Sequence, residues 1–389
     1  MEESLKQDIH KAINDSGFTL ENYVDVILRK HGWQTITNRH YIDDIKGVER
    51  ELDILAYKVY LDKKENIEYI TSLVISCKKS SVNKWCFLTR DANPNDVNTD
   101  WTPYHYCTND KVLSYMTKNH RDVIIKKYLS HRAIKHLYNF DERVFAYQVL
   151  TENVTKKGKN EERHWVITKN EPLHDSIITS IKALDMEKRS RIEQHVGRPY
   201  NRYYTFHILS IFDGDMIKSH LDDEGNVKSE DITNINYLNR HIVNKVDDFY
   251  IVNFIKKDIF DYRLRLFDYL HDENVRTLPK LTTAFYENVF EDREKVNILW
   301  EKCALEIGEA LQIYIKPNGG VSLTSIPDIF YFYNGEKLGI YIEGDLYDND
   351  TLLEEINNND KLIAEVRDIL KSYYRYSGTF VFSNGFRLF

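Results

Sequence analysis

Three residues in the first eighty have side chains suited to phosphate-ester hydrolysis. Glu21 lies in a segment with helical spacing of apolar residues, Asp53 follows a bend into an apolar strand, and Lys78 ends the next apolar strand. Two carboxylates can hold a hard divalent cation, Mg²⁺ or Mn²⁺, that activates a water against a phosphodiester. The lysine would orient or deprotonate that water, or offset charge on the phosphorane oxygens. We therefore expect Glu21 and Asp53 as metal ligands, and all three residues as catalytic.

Three elements must bring these side chains together. Residues 17–33 (GFTLENYVDVILRKHGW) place apolar side chains at helical spacing, and Gly32 ends the run. The segments RELDILAYKVYL and IEYITSLVISCKKS are rich in β-branched and aromatic residues, and the turn-like DKKEN separates them. The sequence therefore predicts one amphipathic helix and two adjacent strands, with the three polar side chains converging at one edge of the sheet.

This ordered set resembles the PD-(D/E)XK nuclease superfamily, near the Mrr-type restriction endonucleases. ELDILA would carry the aspartate of the family motif and VISCKKS its (D/E)xK strand, and the resemblance covers residues 17–90. It implies a restriction-endonuclease-like mixed sheet flanked by helices, and DNA as the substrate. The chain departs at Ser76, where the family has Glu or Gln, and a neutral hydroxyl is a weaker ligand for a hard cation. The alternative sources of a carboxylate are Asp43, Asp44, Glu49 and Glu51.

A second acidic set lies near the C-terminus. Asp328 begins one predicted strand and Glu343 ends the next. This set resembles the very-short-patch repair endonuclease branch of the same superfamily over residues 295–383, with Tyr347 in place of the family histidine and Asp360 where the following helix carries an acidic residue. The resemblance implies a second metal site on Asp328 and Glu343. Tyrosine, with a pKa near 10, is a poor proton shuttle at neutral pH. The alternative is an acidic loop on a folded, inactive domain.

The length of 389 residues favours two to three domains in an α/β protein. We expect a restriction-endonuclease-like domain over residues 1–140 and a second nuclease-like α/β domain over 276–389. An α/β region over 141–275 is either separate or continuous with the first sheet. Within it, YYTFHILSIFDGDMIKSHLDDEGN predicts a hairpin that turns at DGD.

Composition excludes several classes of protein. A net charge of minus eight argues against a protein that coats nucleic acid through bulk charge, although local basic patches are compatible with it. HRAIKHLYNF is such a patch, either tracking phosphates or forming a solvated helix face. The four cysteines show no zinc-ligand spacing, and no P-loop or GxSxG motif occurs. The longest apolar runs are too short for a membrane span and the N-terminus is polar, so we expect a cytoplasmic protein without membrane contact.

Together, the resemblances imply a metal-dependent DNA endonuclease in bacterial defence or restriction. Ser76 and Tyr347 keep an alternative open, a noncatalytic nucleic-acid-binding or partner-binding protein built on degenerate nuclease folds. A homo-oligomer and a partner protein from a defence system are also left open.

Overall fold

A computed structural model describes residues 3–43, 47–93, 104–138, 141–157, 160–193, 199–314, 327–343 and 350–383. The chain divides into two compact units. The large unit comprises Met1–Asp110 and Thr117–Leu278, and the small unit comprises Lys111–Met116 and Pro279–Phe389. The described residues of each unit include a sheet.

The first seven helices among the described residues, in chain order, are α1 (Glu3–Asp15), α2 (Phe18–Lys30), α3 (Lys111–Asn119), α4 (Arg121–Ser130), α5 (Arg132–Lys135), α6 (Glu171–Glu193) and α7 (Phe260–Tyr286). The strands of the large unit are β1 (Gln34–Asp43), β2 (Val48–Asp62), β3 (Ile67–Asp91), β4 (His105–Thr108), β5 (Glu142–Lys157), β6 (Asn160–Thr168), β7 (Asn201–Leu221), β8 (Val227–Ile232), β9 (Asn234–Val243) and β10 (Val246–Lys256). Two short 3₁₀ turns are Lys257–Ile259 and Val289–Glu291. The small unit continues with α8 (Arg293–Tyr314), β11 (Asp328–Tyr333), β12 (Leu338–Glu343), α9 (Asp350–Asn357), α10 (Asp360–Tyr374) and β13 (Phe380–Ser383).

The ten strands of the large unit form one mixed sheet, and the α/β class predicted from the sequence is confirmed. The order along the sheet is β1-β2-β3-β7-β10-β9; β5 joins β3, β6 joins β5, and both β4 and β8 join β7. The β3–β7 and β7–β10 pairs are parallel, and the others are antiparallel. Strands from residues 1–140 and from 141–275 therefore share a single sheet.

The predicted hairpin at DGD is wrong, because β7 runs unbroken through it. Strand β3 supplies a parallel partner on both sides, pairing Lys79 with Asp213 and Lys84 with Asp215. Between these pairs β3 bulges outward over residues 80–83. A Cβ on Gly214 would lie 2.5 Å from the Phe212 ring and 2.6 Å from the Ser80 carbonyl oxygen. The glycine thus permits a close approach of two strands and does not form a turn.

Helices cover both faces of the large sheet. Consecutive strand residues point to opposite faces. On β2, the Tyr57 hydroxyl donates to Glu187 of α6, whereas Lys58 Nζ donates to Asp268 of α7 at 2.6 Å. Helices α6 and α7 therefore lie on opposite faces. His31, which directly follows α2, contacts Asp268 of α7 through Nδ1 at 2.7 Å and so ties α2 to that helix.

The small unit has a three-stranded sheet of order β11-β12-β13, with β12–β13 parallel. Helix α10 buries Leu362, Val366, Leu370 and Tyr374. The Tyr374 hydroxyl donates to the Val296 carbonyl of α8 at 2.7 Å, which joins the two helices.

Candidate functional site

The candidate site lies in a notch in the large sheet. Strands β2 and β5 share one edge of β3, because β7 occupies the other edge. Strand β2 leaves β3 after the Ile54–Ile75 pair, and β5 joins it at the Asn83–Thr151 pair. Among the described residues, no strand pairs with this edge over residues 76–82, and we call this interval the notch. Ser76 and Cys77 are buried at its start, whereas Lys79, Ser81 and Val82 are exposed.

Asp53 lies where β2 leaves β3. Its Oδ2 accepts a hydrogen bond from the Cys77 backbone N–H at 2.6 Å, from the Ser76 hydroxyl at 3.3 Å and from Lys78 Nζ at 3.4 Å. The carboxylate thus satisfies an N–H that the departing strand leaves without a ladder partner. Asn38, which falls opposite Asp53 in β1, has a left-handed φ of 52° and interrupts the regular ladder there. Local backbone irregularity therefore accompanies the parting of the strands.

Glu21 reaches the same place from the first turn of α2, whose buried face includes Leu20 and Val24. Burial raises the pKa of Glu21, and the negative charges of Asp53 and Glu51 raise it further, whereas Lys78 opposes them. The structure therefore brings Glu21, Asp53 and Lys78 together. The side chains of Asp53 and Lys78 are 18% and 33% exposed, so solvent reaches both.

The carboxylates suit a hard cation, although they do not form a complete cage. Among the residues that the structure describes, no group of three or more His, Cys, Asp or Glu side chains could hold a metal ion. Mg²⁺ is usually held by one or two carboxylates, with waters and substrate phosphates completing its coordination. Glu21 and Asp53 match that donor set. The mutual charge repulsion that raises the pKa of Glu21 is what a bound cation would relieve.

No acidic residue stands next to Ser76 on β3 to supply the carboxylate that Ser76 lacks. It is buried, and its hydroxyl donates to Asp53. Of the alternative carboxylates, Glu51 lies two residues before Asp53 on β2, and its charge acts on Glu21. Glu49 instead lies 3.3 Å from His40 Nδ1. Asp44 and the side chain of Asp43 lie outside the described residues. Glu51 is therefore the alternative carboxylate whose charge reaches the site.

Sequence reasoning missed a group of lysines beside the notch. We call Lys79, Lys84, Lys256 and Lys257 the lysine rim. Lys257 Nζ lies 3.1 Å from Asp213, and Asp215 lies 3.3 Å from Lys84 and 3.4 Å from Lys256. Three lysines thus meet two aspartates, whereas Lys79 Nζ donates to the Asn14 carbonyl oxygen. The lysines come from β3, from the end of β10 and from the 3₁₀ turn Lys257–Ile259 that follows it, and the aspartates come from β7. The predicted turn at DGD concealed their shared position.

The described residues of the C-terminal acidic set lie on two strands and at the start of a helix. Asp328 and Glu343 are directly opposite each other on β11 and β12, and both are exposed. Asp360 is the first residue of α10, where a carboxylate favours the helix dipole. Tyr347 lies outside the described residues. The structure therefore places two of the four predicted residues in contact range of one another and assigns the third to a helix start.

No protein-family model, curated protein or solved structure matches this chain. None of the described helices is long and apolar enough to cross a membrane.

Proposed function

We propose that the notch is the active site of a metal-dependent DNA endonuclease that hydrolyses phosphodiester bonds, acting in bacterial defence or restriction. The observation that carries the proposal is the convergence of Glu21, Asp53 and Lys78 where β2 and β3 part. On this proposal the large sheet is a restriction-endonuclease-like fold, and the small unit is a second, nuclease-like domain.

Each side chain has a distinct task in this chemistry. Glu21 and Asp53 would hold Mg²⁺ or Mn²⁺, which lowers the pKa of a bound water and neutralises phosphate charge. The Lys78 ammonium, 3.4 Å from Asp53, offsets charge that develops on the phosphate oxygens. The lysine rim provides cations for the neighbouring phosphates of the DNA strand.

The test is cleavage of supercoiled plasmid by the pure full-length protein with Mg²⁺ or Mn²⁺. We expect Asp53→Ala and Lys78→Ala each to lower single-turnover cleavage by about 10²-fold or more. Asp247→Ala is the matched control, because Asp247 is an exposed strand aspartate that pairs with Arg240 at 2.5 Å, away from the notch. Cleavage by both notch variants at the wild-type rate, with unchanged thermal melting, would refute the site.

A second candidate function has its own observation. Asp53 Oδ2 already accepts three hydrogen bonds within the protein, and Ser76 supplies no charge. This arrangement also suits a noncatalytic protein that retains the notch to bind DNA or a partner. Wild-type protein that binds duplex DNA through the lysine rim, yet cleaves neither DNA nor RNA in saturating Mn²⁺, would favour this candidate over the enzyme.

A further inference from the structure

A large open cleft lies in the large unit away from the notch. Its volume is about 1070 Å³, and its walls come from β2, from residues 131–136 around α5, and from α7. Tyr60 of β2 lines it, seven residues beyond Asp53 on the same strand. At ~3.3 Å per strand residue the two sites lie roughly 23 Å apart. The α5–α7 cleft is therefore a separate site that the proposed hydrolysis does not use.

One exposed stripe of α7 forms a wall of the cleft. Tyr262, Arg265, Tyr269 and Arg276 line it at spacings of three, four and seven residues, which places them on a single helix face. At ~1.5 Å rise per residue the stripe is about 21 Å long. Aromatic and cationic side chains thus alternate along a length that exceeds a single nucleotide.

The tyrosines of the cleft offer open ring faces. Tyr60, Tyr262 and Tyr269 are 46%, 60% and 51% exposed. Exposed aromatic rings along a cationic groove are the platforms on which unpaired nucleic-acid bases stack, and every base has a π face. Arginines and histidines lie between these rings, and Asp272 also lines the cleft, so charged groups accompany the exposed rings along its length.

The arginines are held in place while keeping donors for a ligand. Arg265 donates to Asp261 at 2.9 Å and Arg276 donates to Glu273 at 2.6 Å. A guanidinium has five N–H donors, so each retains donors for phosphate oxygens. Arg132, on the opposite wall, adds a third exposed guanidinium.

The α5 wall adds a buried polar atom. Among the described residues, His131 Nδ1 is buried without a hydrogen-bond partner, and its ring lies 6.4 Å from that of Tyr269. A buried polar atom without a partner is unfavourable. The His131 side chain lines the cleft beside Tyr269 and adds a polar aromatic ring to this wall. This wall is the first part of the basic, aromatic segment HRAIKHLYNF, for which the sequence left two alternatives, phosphate tracking and a solvated helix face.

We propose that the α5–α7 cleft binds single-stranded nucleic acid, with bases stacked on Tyr60, Tyr262 and Tyr269 and phosphates held by Arg132, Arg265 and Arg276. Binding here needs no divalent cation and no cleavage. The cleft would hold an unpaired strand at a distance from the notch.

The experiment measures fluorescence anisotropy of a labelled 12-nucleotide oligo(dT) with full-length Asp53→Asn protein in EDTA, so that failure of the nuclease proposal does not affect it. We expect Tyr269→Ala and Arg265→Ala each to weaken binding about tenfold or more. Tyr269→Phe should retain binding, because the ring remains. Arg240→Ala is the matched control, since Arg240 is similarly exposed and paired with Asp247 outside the cleft.

Three outcomes would overturn the proposal. The first is oligo(dT) affinity that is unchanged in Tyr269→Ala and Arg265→Ala. The second is a loss of affinity for a 12-base-pair duplex in Tyr269→Ala and Arg265→Ala that equals their loss of affinity for oligo(dT). The third is equal affinity for thymidine monophosphate, which would indicate a nucleotide pocket and not a strand site. Tyr269→Ala and Arg265→Ala each remove a side chain that is at least half-exposed. Thermal melting of each variant checks that the fold is retained.

Discussion

Asp53 combines two roles that conflict. As an acceptor for the Cys77 N–H at 2.6 Å, it stabilises the point where the sheet opens. As a metal ligand, it would have to share the same carboxylate with a cation. The second oxygen of the carboxylate allows both roles together, because one carboxylate has about four lone-pair sites.

Ser76→Glu should make the site more dependent on metal. The new carboxylate would lie beside Asp53, which the Ser76 hydroxyl contacts at 3.3 Å, and close to the charge of Glu21. We expect a lower melting temperature without metal and a larger increase on adding Mg²⁺ than in the wild type, because a cation that binds the folded state stabilises it. Differential scanning calorimetry with and without Mg²⁺ measures both effects. Ser76→Gln matches the size without the charge, and an equal Mg²⁺ response in the two variants would contradict a metal at this position.

His271 should make the large unit sensitive to acid. Burial, followed by the charge of Lys58, lowers the pKa of His271 to about 4, below the unfolded value near 6.5. The unfolded chain therefore binds more protons between these values, and stability is lost as pH falls from about 6.5 to about 4. The full loss is about 3 kcal/mol.

Urea unfolding of wild type and His271→Gln at pH 7 and pH 4.5 tests this expectation. The variant loses the hydrogen bond to Thr71, which is 2.9 Å long in the wild type, so its stability at pH 7 is lower. The informative quantity is the difference between the two pH values, which should be smaller in the variant. An identical pH difference in both proteins would show that His271 does not titrate on unfolding. His40→Gln, at an exposed position, is the control.

At the scale of elements, the approach of β3 and β7 depends on Gly214. In Gly214→Ala the new methyl group would collide with the Ser80 carbonyl oxygen and the Phe212 ring, so a strand must move. We expect a cost of about 1–3 kcal/mol in the free energy of unfolding. Cleavage should also fall, because Ser80 follows Lys78 and Lys79 directly.

Gly339→Ala is the matched control for that substitution. A Cβ on this strand glycine would lie 3.6 Å from the Phe332 carbonyl oxygen, which is an ordinary contact. Chemical denaturation should show a much smaller change for Gly339→Ala than for Gly214→Ala. Similar changes in the two variants would mean that the tight β3–β7 approach contributes nothing specific.

The sequence correctly predicted the elements that are determined by residues close together in the chain. The helix around Glu21 and the strands around Asp53 and Lys78 are specified by apolar periodicity within about 70 residues of chain, and the structure has all three elements. The lysine rim and the unbroken β7 were missed because their cause is long-range. Asp213–Gly214–Asp215 has the composition of a turn, yet its partner strand lies about 130 residues earlier.

At the scale of the whole molecule, the two acidic sets belong to different units. Asp328 and Glu343 are an exposed pair on the small sheet, whereas Asp53 and Lys78 belong to the large one. We expect the Asp328→Ala/Glu343→Ala variant to retain cleavage, because both carboxylates are exposed on the small sheet, whereas Glu21 and Asp53 of the notch are accompanied by Lys78. Single-turnover cleavage in saturating Mn²⁺ is the measurement. Loss of activity in this variant alone would move the active site to the small unit.

The charge of the whole molecule differs from its local distribution. The chain carries a net charge of minus eight, yet four lysines border the notch and three arginines line the α5–α7 cleft. Long-range attraction to nucleic acid should therefore be weak, and the proposed binding would depend on these local groups. Such contacts are sensitive to salt, because each phosphate that is neutralised releases counterions.

The buried thiol of Cys77, close to Asp53, can serve as a chemical probe of local opening in the large sheet. The pKa of Cys77 is raised well above its ordinary value, first by burial and then by the charges of Asp53 and Glu21. The thiolate is the form that reacts with alkylating reagents, so Cys77 should not react while it stays buried in the folded sheet. Its alkylation rate should therefore report how often the sheet opens locally around Cys77, and a cation bound to the neighbouring Asp53 carboxylate should lower that rate.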